Sequence, residues 1–413
     1  MQSKSHEDAN KSEQPPVSRS SMAPQSDFVS HLDSGQVDQW AVLRQEIEEE
    51  SIKHQEERER SGPEQSGTGD DSVTPTPQWS FQLQPLEQSP NHVDIVVAGI
   101  GGAGANAVNR MIYAGVRGVR FVALNTDAQV LSLSEAPERI CLGQDYTKGL
   151  GAGGNAAVGA RAATESTEEI RAALGEADLV FIAAGMGGGT GTGGAPIVAS
   201  IAKELGALTI GIITLPFTFE GSRRRRIAEE GLVALSTEVD ALITIPNDRL
   251  LSFTEKDCSL ADAFKLADDV LCQGVQGIAE VINVPGLVNV DFADVRTVLC
   301  EAGTALMSIG QGQGDNRAQR AAEEAIAGGV LNAPIRGAQR VLFNITGGEE
   351  MTLFEVNEVA EYITAAIDTT ADITFGAVVD STLGDTIRVT LIAAGMEGSP
   401  TGRKPAIHLE HRR

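Results

Sequence analysis

From Val93 to Met396 the chain repeats one pattern. A short apolar run is followed by a turn rich in glycine or asparagine, then by a longer stretch whose apolar positions recur three and four residues apart. Continuous apolar runs of this length mark strands buried on both faces, and the longer spacing marks helices. Strands are predicted over 93–98, 118–124, 178–184, 208–215 and 240–245. Helices are predicted to about residue 114, over 156–174 and 195–205, and from about 222. Strands that alternate with helices imply a parallel sheet covered on both sides. A long helix is predicted over 260–282, with Ser259 and Asp262 as its capping box. Beyond it, strands over 302–309, 339–345, 372–379 and 386–393, with helices over 317–327 and 353–366, read as a smaller α+β unit. The segment 310–314 reads as a loop. The fold class is therefore α/β: a Rossmann-like parallel-sheet domain, a long central helix and a smaller α+β C-terminal domain. The expected divisions are 1–91, 92–282, 283–396 and a polar tail, 397–413.

The pattern fails before residue 92. That stretch is rich in Ser, Gln, Glu and Pro and poor in aliphatic residues, so it buries too little apolar surface to offset chain entropy and is expected to be disordered. Inside it, residues 36–60 place Val37, Trp40, Ala41 and Ile47 roughly on one face, followed by Glu48, Glu49 and Glu50. This is either a docking helix for a partner or a transient, solvated one. Residues 74–90 read as a linker.

Charge and composition narrow the function. A net charge of −25 over 413 residues argues against nucleic acid or an anionic membrane as direct partner. No apolar run is long enough for direct membrane insertion, and the first thirty or so residues carry neither a secretory signal nor a transit peptide. The four cysteines, Cys141, Cys258, Cys272 and Cys300, are scattered, which fits a reducing cytoplasm without disulfides or a zinc site. All six histidines lie outside 93–396, so chemistry in the folded body must use positioning, backbone donors, carboxylates and a hard metal ion. That set suits phosphoryl transfer.

Three glycine turns follow predicted strands. The strongest signal is the run from Gly185 to Gly194, in which Thr190 and Thr192 add hydroxyls for a phosphate oxygen or a metal-bound water. Glycines admit close backbone approach, and a following helix N-terminus favours an anion. The second turn, Gly99 to Asn106, contains Gly-x-Gly-x-x-Gly at Gly99, Gly101 and Gly104. With Asn125-Thr-Asp127 at the end of the next strand it leaves a nicotinamide enzyme open. The third, Gly149 to Gly154, tilts the reading towards one nucleoside triphosphate gripped from several sides. No P-loop lysine is present, so backbone N–H groups and Mg²⁺ must neutralise most of the phosphate charge. Arg223 to Arg226 open a helix whose dipole they oppose; a phosphate, a partner carboxylate or solvent offsets that cost. Asp291 and Asp294 read either as an N-cap and first-turn acid or as a pair aimed at a water or cation.

These residues resemble the FtsZ family of bacterial tubulin-like division GTPases. The resemblance rests on Gly187-Gly-Gly-Thr-Gly-Thr-Gly193, supported in order by Gly99 to Asn106, Asn125-Thr-Asp127, Phe217 to Arg226, Pro246 to Arg249, Ala267 to Gly277 and Asn289 to Asp294. It covers about three quarters of the chain. It implies GTP or GDP as bound nucleotide with Mg²⁺, contacted by Gly102, Ala103, Gly104, Ala105 and Asn106. Gly188, Gly189 and Thr190 would hold the β and γ phosphates, and Glu220 and Arg224 would lie near the ribose and phosphates. Asn247 and Asp269 would read the guanine, with Phe264 stacked on it. It also implies self-association into head-to-tail filaments, with Asn289, Asp291 and Asp294 of one copy acting on the next copy's GTP at a mid-cell ring in the cytoplasm. A co-assembling paralogue with little hydrolysis is the alternative. Ala105 stands where glycine is usual, the arginine run is more basic than typical, and the short tail lacks a clear recruiting peptide. Docking of membrane tethers and regulators is therefore expected through the N-terminal extension or the tail.

Overall fold

The computed structural model describes residues 93–251, 259–284, 286–328, 335, 337–367 and 369–395. The expected docking helix, linker and tail lie outside them. Ten strands form one sheet. They are β1 (Ile95–Ile100), β2 (Val119–Asn125), β3 (Glu138–Cys141), β4 (Leu179–Gly185), β5 (Leu208–Leu215), β6 (Ala241–Pro246), β7 (Gly303–Gln313), β8 (Arg340–Gly347), β9 (Asp372–Val379) and β10 (Thr386–Ala394), in the order β3-β2-β1-β4-β5-β6-β7-β10-β8-β9. Neighbours from β3 to β7 pair in parallel. Their apolar runs are buried on both faces. Val96, Ala98 and Ile100 pack with Val198, Ala199 and Ile170 on one side; Ile95 and Val97 pack with Met111, Val275 and Ile278 on the other.

β7 joins the two halves. Its first residues, Gly303–Ala305, pair with β6 in parallel, and the rest pairs with β10 antiparallel. The expected loop at 310–314 is instead strand as far as Gln313. Gly310 and Gly312 are there for closeness, because a Cβ on either would overlap the backbone of the helix Arg317–Ile326.

Two other expectations shift. The predicted helix 156–174 is two helices, Ala156–Glu165 and Thr167–Leu174, parted at Ser166, whose hydroxyl accepts the Gly143 N–H at 3.1 Å. The helix expected from 195 begins at Thr190 and runs to Glu204. Its glycines are packing positions: a Cβ on Gly193 would overlap the Ala156 carbonyl oxygen. The short edge strand β3 is an addition to the predicted set.

The central helix, Leu260–Asn283, spans about 36 Å at helical rise. The Ser259 hydroxyl accepts the Asp262 N–H at its start. At its end the Asn283 side chain donates to Gly118 O, next to the amino end of β2, at 2.8 Å. The helix therefore runs from the carboxyl ends of the parallel strands back to their amino ends.

Candidate functional site: a glycine-lined crevice and a distant acidic loop

In a parallel sheet the place where strand order reverses opens a crevice at the carboxyl ends of the strands. Here the reversal lies between β1 and β4, which pair from Ile95↔Leu179 to Ile100↔Ala184. Both strands feed a glycine turn and a helix, Gly101–Tyr113 and Thr190–Glu204, so two helix N-termini meet at one point. They meet closely: a Cβ on Gly101, whose φ is +73°, would lie 2.9 Å from Gly191 N. Two N-termini bring partial positive charge and unpaired N–H groups to the same place, the requirement for holding phosphate.

The third turn packs against this pair. Gly151 N donates to Thr126 O, and Ala128 N donates to Gly149 O. A Cβ on Gly189 would lie 2.7 Å from Ala152 Cβ and 2.9 Å from Asn155 N. Around Gly102 and Gly188, by contrast, a Cβ would meet nothing within 4 Å. These two glycines face open space, one on each side of the crevice. Gly104 is buried, and Ala103 lies against Gly185. Ala105 is buried too, which leaves only its backbone for a ligand, while Asn106 is exposed.

The two threonines differ. The Thr190 hydroxyl lies 2.6 Å from that of Thr126 and is half-buried at the crevice. The Thr192 hydroxyl accepts the Gly187 N–H at 2.9 Å and is buried, so it braces the glycine turn and is not directed at a ligand. Asp127 is likewise occupied: it caps the helix Ala128–Ser132 by accepting from Gln129 N and Val130 N, which removes it as the ribose-binding acid of a nicotinamide site.

The base-side residues come from three elements. Asn247 is 5% exposed, and its Oδ1 has no partner among the described residues. Phe264 stands edge-on to the buried Phe217, ring centroids 5.5 Å apart, and stays partly exposed. Asp269 is ion-paired with Arg110, a partner not legible from sequence. Both guanidinium donors reach Oδ1, with Nε at 2.7 Å, and Oδ2 takes no bond. Next to it, burial and then the charge of Asp269 push the Asp268 carboxyl up to about 7, against the pull of Arg110. The arginine run finds carboxylates: Arg224 pairs with Glu220, Arg225 with Glu229 at 3.6 Å and Arg226 with Glu230 at 3.8 Å. Glu220 also accepts the Phe217 N–H.

Asn289, Asp291 and Asp294 are elsewhere. All three are exposed. Asp291 occupies the N-cap position of the helix Phe292–Leu299 without a side-chain capping bond, and Asp294 lies in its first turn. Asn289 Oδ1 accepts Gly286 N at 2.6 Å, which shapes the loop. Arg296 donates to Gly206 O, just before β5 begins, and Val288 pairs with Ala377 of β9. The acids therefore lie beyond the amino ends of the parallel strands. A strand of six to eight residues, about 20–26 Å long, separates them from the glycine crevice. No described helix is long and apolar enough to cross a membrane.

Comparison with known proteins agrees with this geometry. The GTPase-domain model of the Tubulin/FtsZ family matches residues 94–255, and the C-terminal-domain model of the FtsZ family matches 303–397. A solved structure of an empty FtsZ dimer from M. jannaschii is 44% identical, with a TM-score of 0.71 over 73% of this chain and 88% of that one. A tryptophan-to-tyrosine mutant of FtsZ from the same organism is also 44% identical, with a TM-score of 0.71 over 74% and 91%. CetZ2 from Haloferax volcanii, solved as a GTPγS-bound protofilament, shares the fold at 23% identity, with a TM-score of 0.65 over 75% and 95%. With two family models covering more than half its length and relatives at this identity, the chain belongs to the tubulin/FtsZ family of GTPases.

Proposed function

We propose that the chain binds and hydrolyses GTP, polymerises head-to-tail into filaments and forms the cell-division ring, with Asn289, Asp291 and Asp294 of one copy completing the reaction centre of the next. The observation that carries this reading is the separation of the crevice and the acids at opposite ends of one parallel sheet. Within a single chain they do not meet; two copies stacked in the same direction bring them together, and such heterologous contacts propagate as open filaments.

In the completed centre a water oxygen bonds to the γ-phosphorus while the bond from that phosphorus to the β–γ bridging oxygen breaks, yielding GDP and phosphate. Asp291 and Asp294 orient the water and take up its proton, and the two helix N-termini and backbone donors of the glycine turns stabilise charge on the phosphates. The oxygen-only donors at Thr126 and Thr190 fit a hard ion such as Mg²⁺, which takes most of its ligands from phosphate and water. Bound there, it would neutralise phosphate charge. Asn247 Oδ1 and Asp269 Oδ2 are two acceptors for the N1–H and amino donors of guanine; adenine has no N–H at the first position. Membrane tethers and regulators would dock through residues 1–91 or the tail, at mid-cell in the cytoplasm.

The test is turnover per molecule against protein concentration, with Asp294→Ala alongside. Wild-type turnover rises with concentration from near zero. The variant binds and sediments with GTP but hydrolyses about 10²–10³-fold more slowly, the usual size of loss for a positioned catalytic group. A flat concentration dependence at full rate would sink the proposal.

A further inference from the structure

Leu353 and Phe354 are consecutive, 74% and 76% exposed, and open the helix Leu353–Ala366. The core face of that helix is taken by Val356, Val359 and Ile363, so the pair has no place inside. Two large apolar side chains held out side by side are expensive in water unless something covers them.

Their setting is unusually rigid. Thr352 and Glu355 form a complete capping box. Glu355 is also gripped by Arg317: Nε donates to Oε1 at 2.6 Å and a terminal nitrogen to Oε2 at 3.2 Å. The same guanidinium donates to Asp385 Oδ1 at 2.8 Å and to the Glu350 carbonyl at 3.2 Å. Arg317 is 8% exposed and is the first residue of its own helix, where a positive charge opposes the dipole; the residue before it, Asn316, has a φ of +63°. Local preference does not explain an arginine there, whereas its four bonds do. They tie three segments to the start of the helix that bears Leu353 and Phe354. The grip holds the Glu355 carboxyl down to about 2.

The patch is continuous with the acidic loop. Val288 pairs with Ala377, Val379 pairs with Gly347, and Gly347 lies against Met351, next to Thr352. Leu287 on that loop is 69% exposed. Asp291, Asp294, Glu349 and Glu350 surround the apolar residues with exposed carboxylates. The crevice end has the complementary character: Arg223, Arg225 and Arg226 are exposed there, as are Leu150 and Phe219. A second copy of this chain, presenting its crevice end, matches the patch in both apolar surface and charge.

We propose that Leu353 and Phe354 are the apolar anchor through which one copy seats on the next, and that Arg317 is the positioning residue that holds this anchor out; this rests on the head-to-tail reading above. Full-length Phe354→Ala, Arg317→Gln and Glu355→Gln are compared with wild type for GTP affinity in dilute protein, thermal unfolding and the critical concentration for GTP-dependent sedimentation. Phe354→Ala keeps wild-type GTP affinity and melting but raises the critical concentration about tenfold, the effect of a central apolar contact. Because its crevice end still works, a small proportion of it caps and shortens wild-type filaments, which a general folding defect would not do. Arg317→Gln and Glu355→Gln raise the critical concentration about threefold at unchanged GTP affinity. An unchanged critical concentration for Phe354→Ala overturns the anchor. An unchanged value for both clamp variants, with Phe354→Ala impaired, overturns the role of Arg317. Wild-type protein that never sediments with GTP fails the underlying reading instead.

Discussion

At the carboxyl ends of β1 and β4, the carboxylates around the crevice are engaged. Glu220 is paired with Arg224, Asp269 with Arg110, and Asp127 caps a helix. At the amino ends, Asp291 and Asp294 stand exposed with no side-chain hydrogen bond or ion pair among the described residues, beside exposed Leu287. The contrast follows from what each end must meet. A triphosphate carries several negative charges, so any bare carboxylate beside it is repelled at close range. An acid that must orient a water and accept a proton has to keep its oxygens available. One end removes negative charge from its surface and the other displays it, and that difference gives the chain a direction.

The largest effects come from testing whether the crevice glycines are there for the ligand or for the fold. Gly193→Ala puts a Cβ into the Ala156 carbonyl, backbone against backbone, with no flexible atom to give way. It should force the helices Ala156–Glu165 and Thr190–Glu204 apart, cost about 3 kcal/mol of stability, and abolish GTP binding with it. Gly188→Ala has open space in the free protein, so melting should stay within about 0.5 kcal/mol of wild type while GTP affinity falls about tenfold or more. Calorimetric melting with a nucleotide titration separates the two. Equal loss of stability in both variants would erase the distinction.

This pair also marks what was legible in the sequence. A glycine run between an apolar strand and a helix announces a phosphate turn, because the chemistry is local: φ freedom, N–H groups and a helix start are all encoded within ten residues. That the same run is already helical from Thr190, and that Gly193 serves a second helix, depends on a neighbour more than thirty residues away. Gly310 and Gly312 misled for the same reason, reading as a loop although they are strand positions under a close helix. Arg317 looked like an ordinary first-turn residue, since Glu350, Glu355 and Asp385 lie 33, 38 and 68 residues along the chain. The edge strand Glu138–Cys141 has four residues and no fully buried one, too little pattern to stand out.

A smaller effect sharpens the base side of the crevice. The Asn247 Oδ1 is buried without a partner, which costs about 1–3 kcal/mol in the free protein unless a ligand supplies a donor. Asn247→Ala should therefore leave stability within about 1 kcal/mol of wild type, since the lost packing is offset by the removed orphan. It should weaken GTP about tenfold and narrow the preference for GTP over ATP. Competition binding with both nucleotides reads this directly. A variant that loses affinity for both equally would place Asn247 away from the base.

The smallest expected effect concerns Asp268, the carboxyl that the crevice end keeps partly protonated. Burial and the neighbouring Asp269 raise it to about 7 in the folded chain, whereas in the unfolded chain it titrates near the ordinary value of about 4. Between these values the folded state holds a proton that the unfolded state has released, so the contribution of this group to stability falls as pH rises from about 4 to 7 and levels off above that. Asp268→Asn fixes the uncharged form. Its stability should match wild type near pH 4 and exceed it at pH 8 by on the order of 2 kcal/mol, the group being only partly shielded from water. Denaturant melts at several pH values, taken without nucleotide, give the two curves. If they run parallel, Asp268 is an ordinary ionised surface acid, and the crevice end has one more bare negative charge than the contrast between the two ends allows.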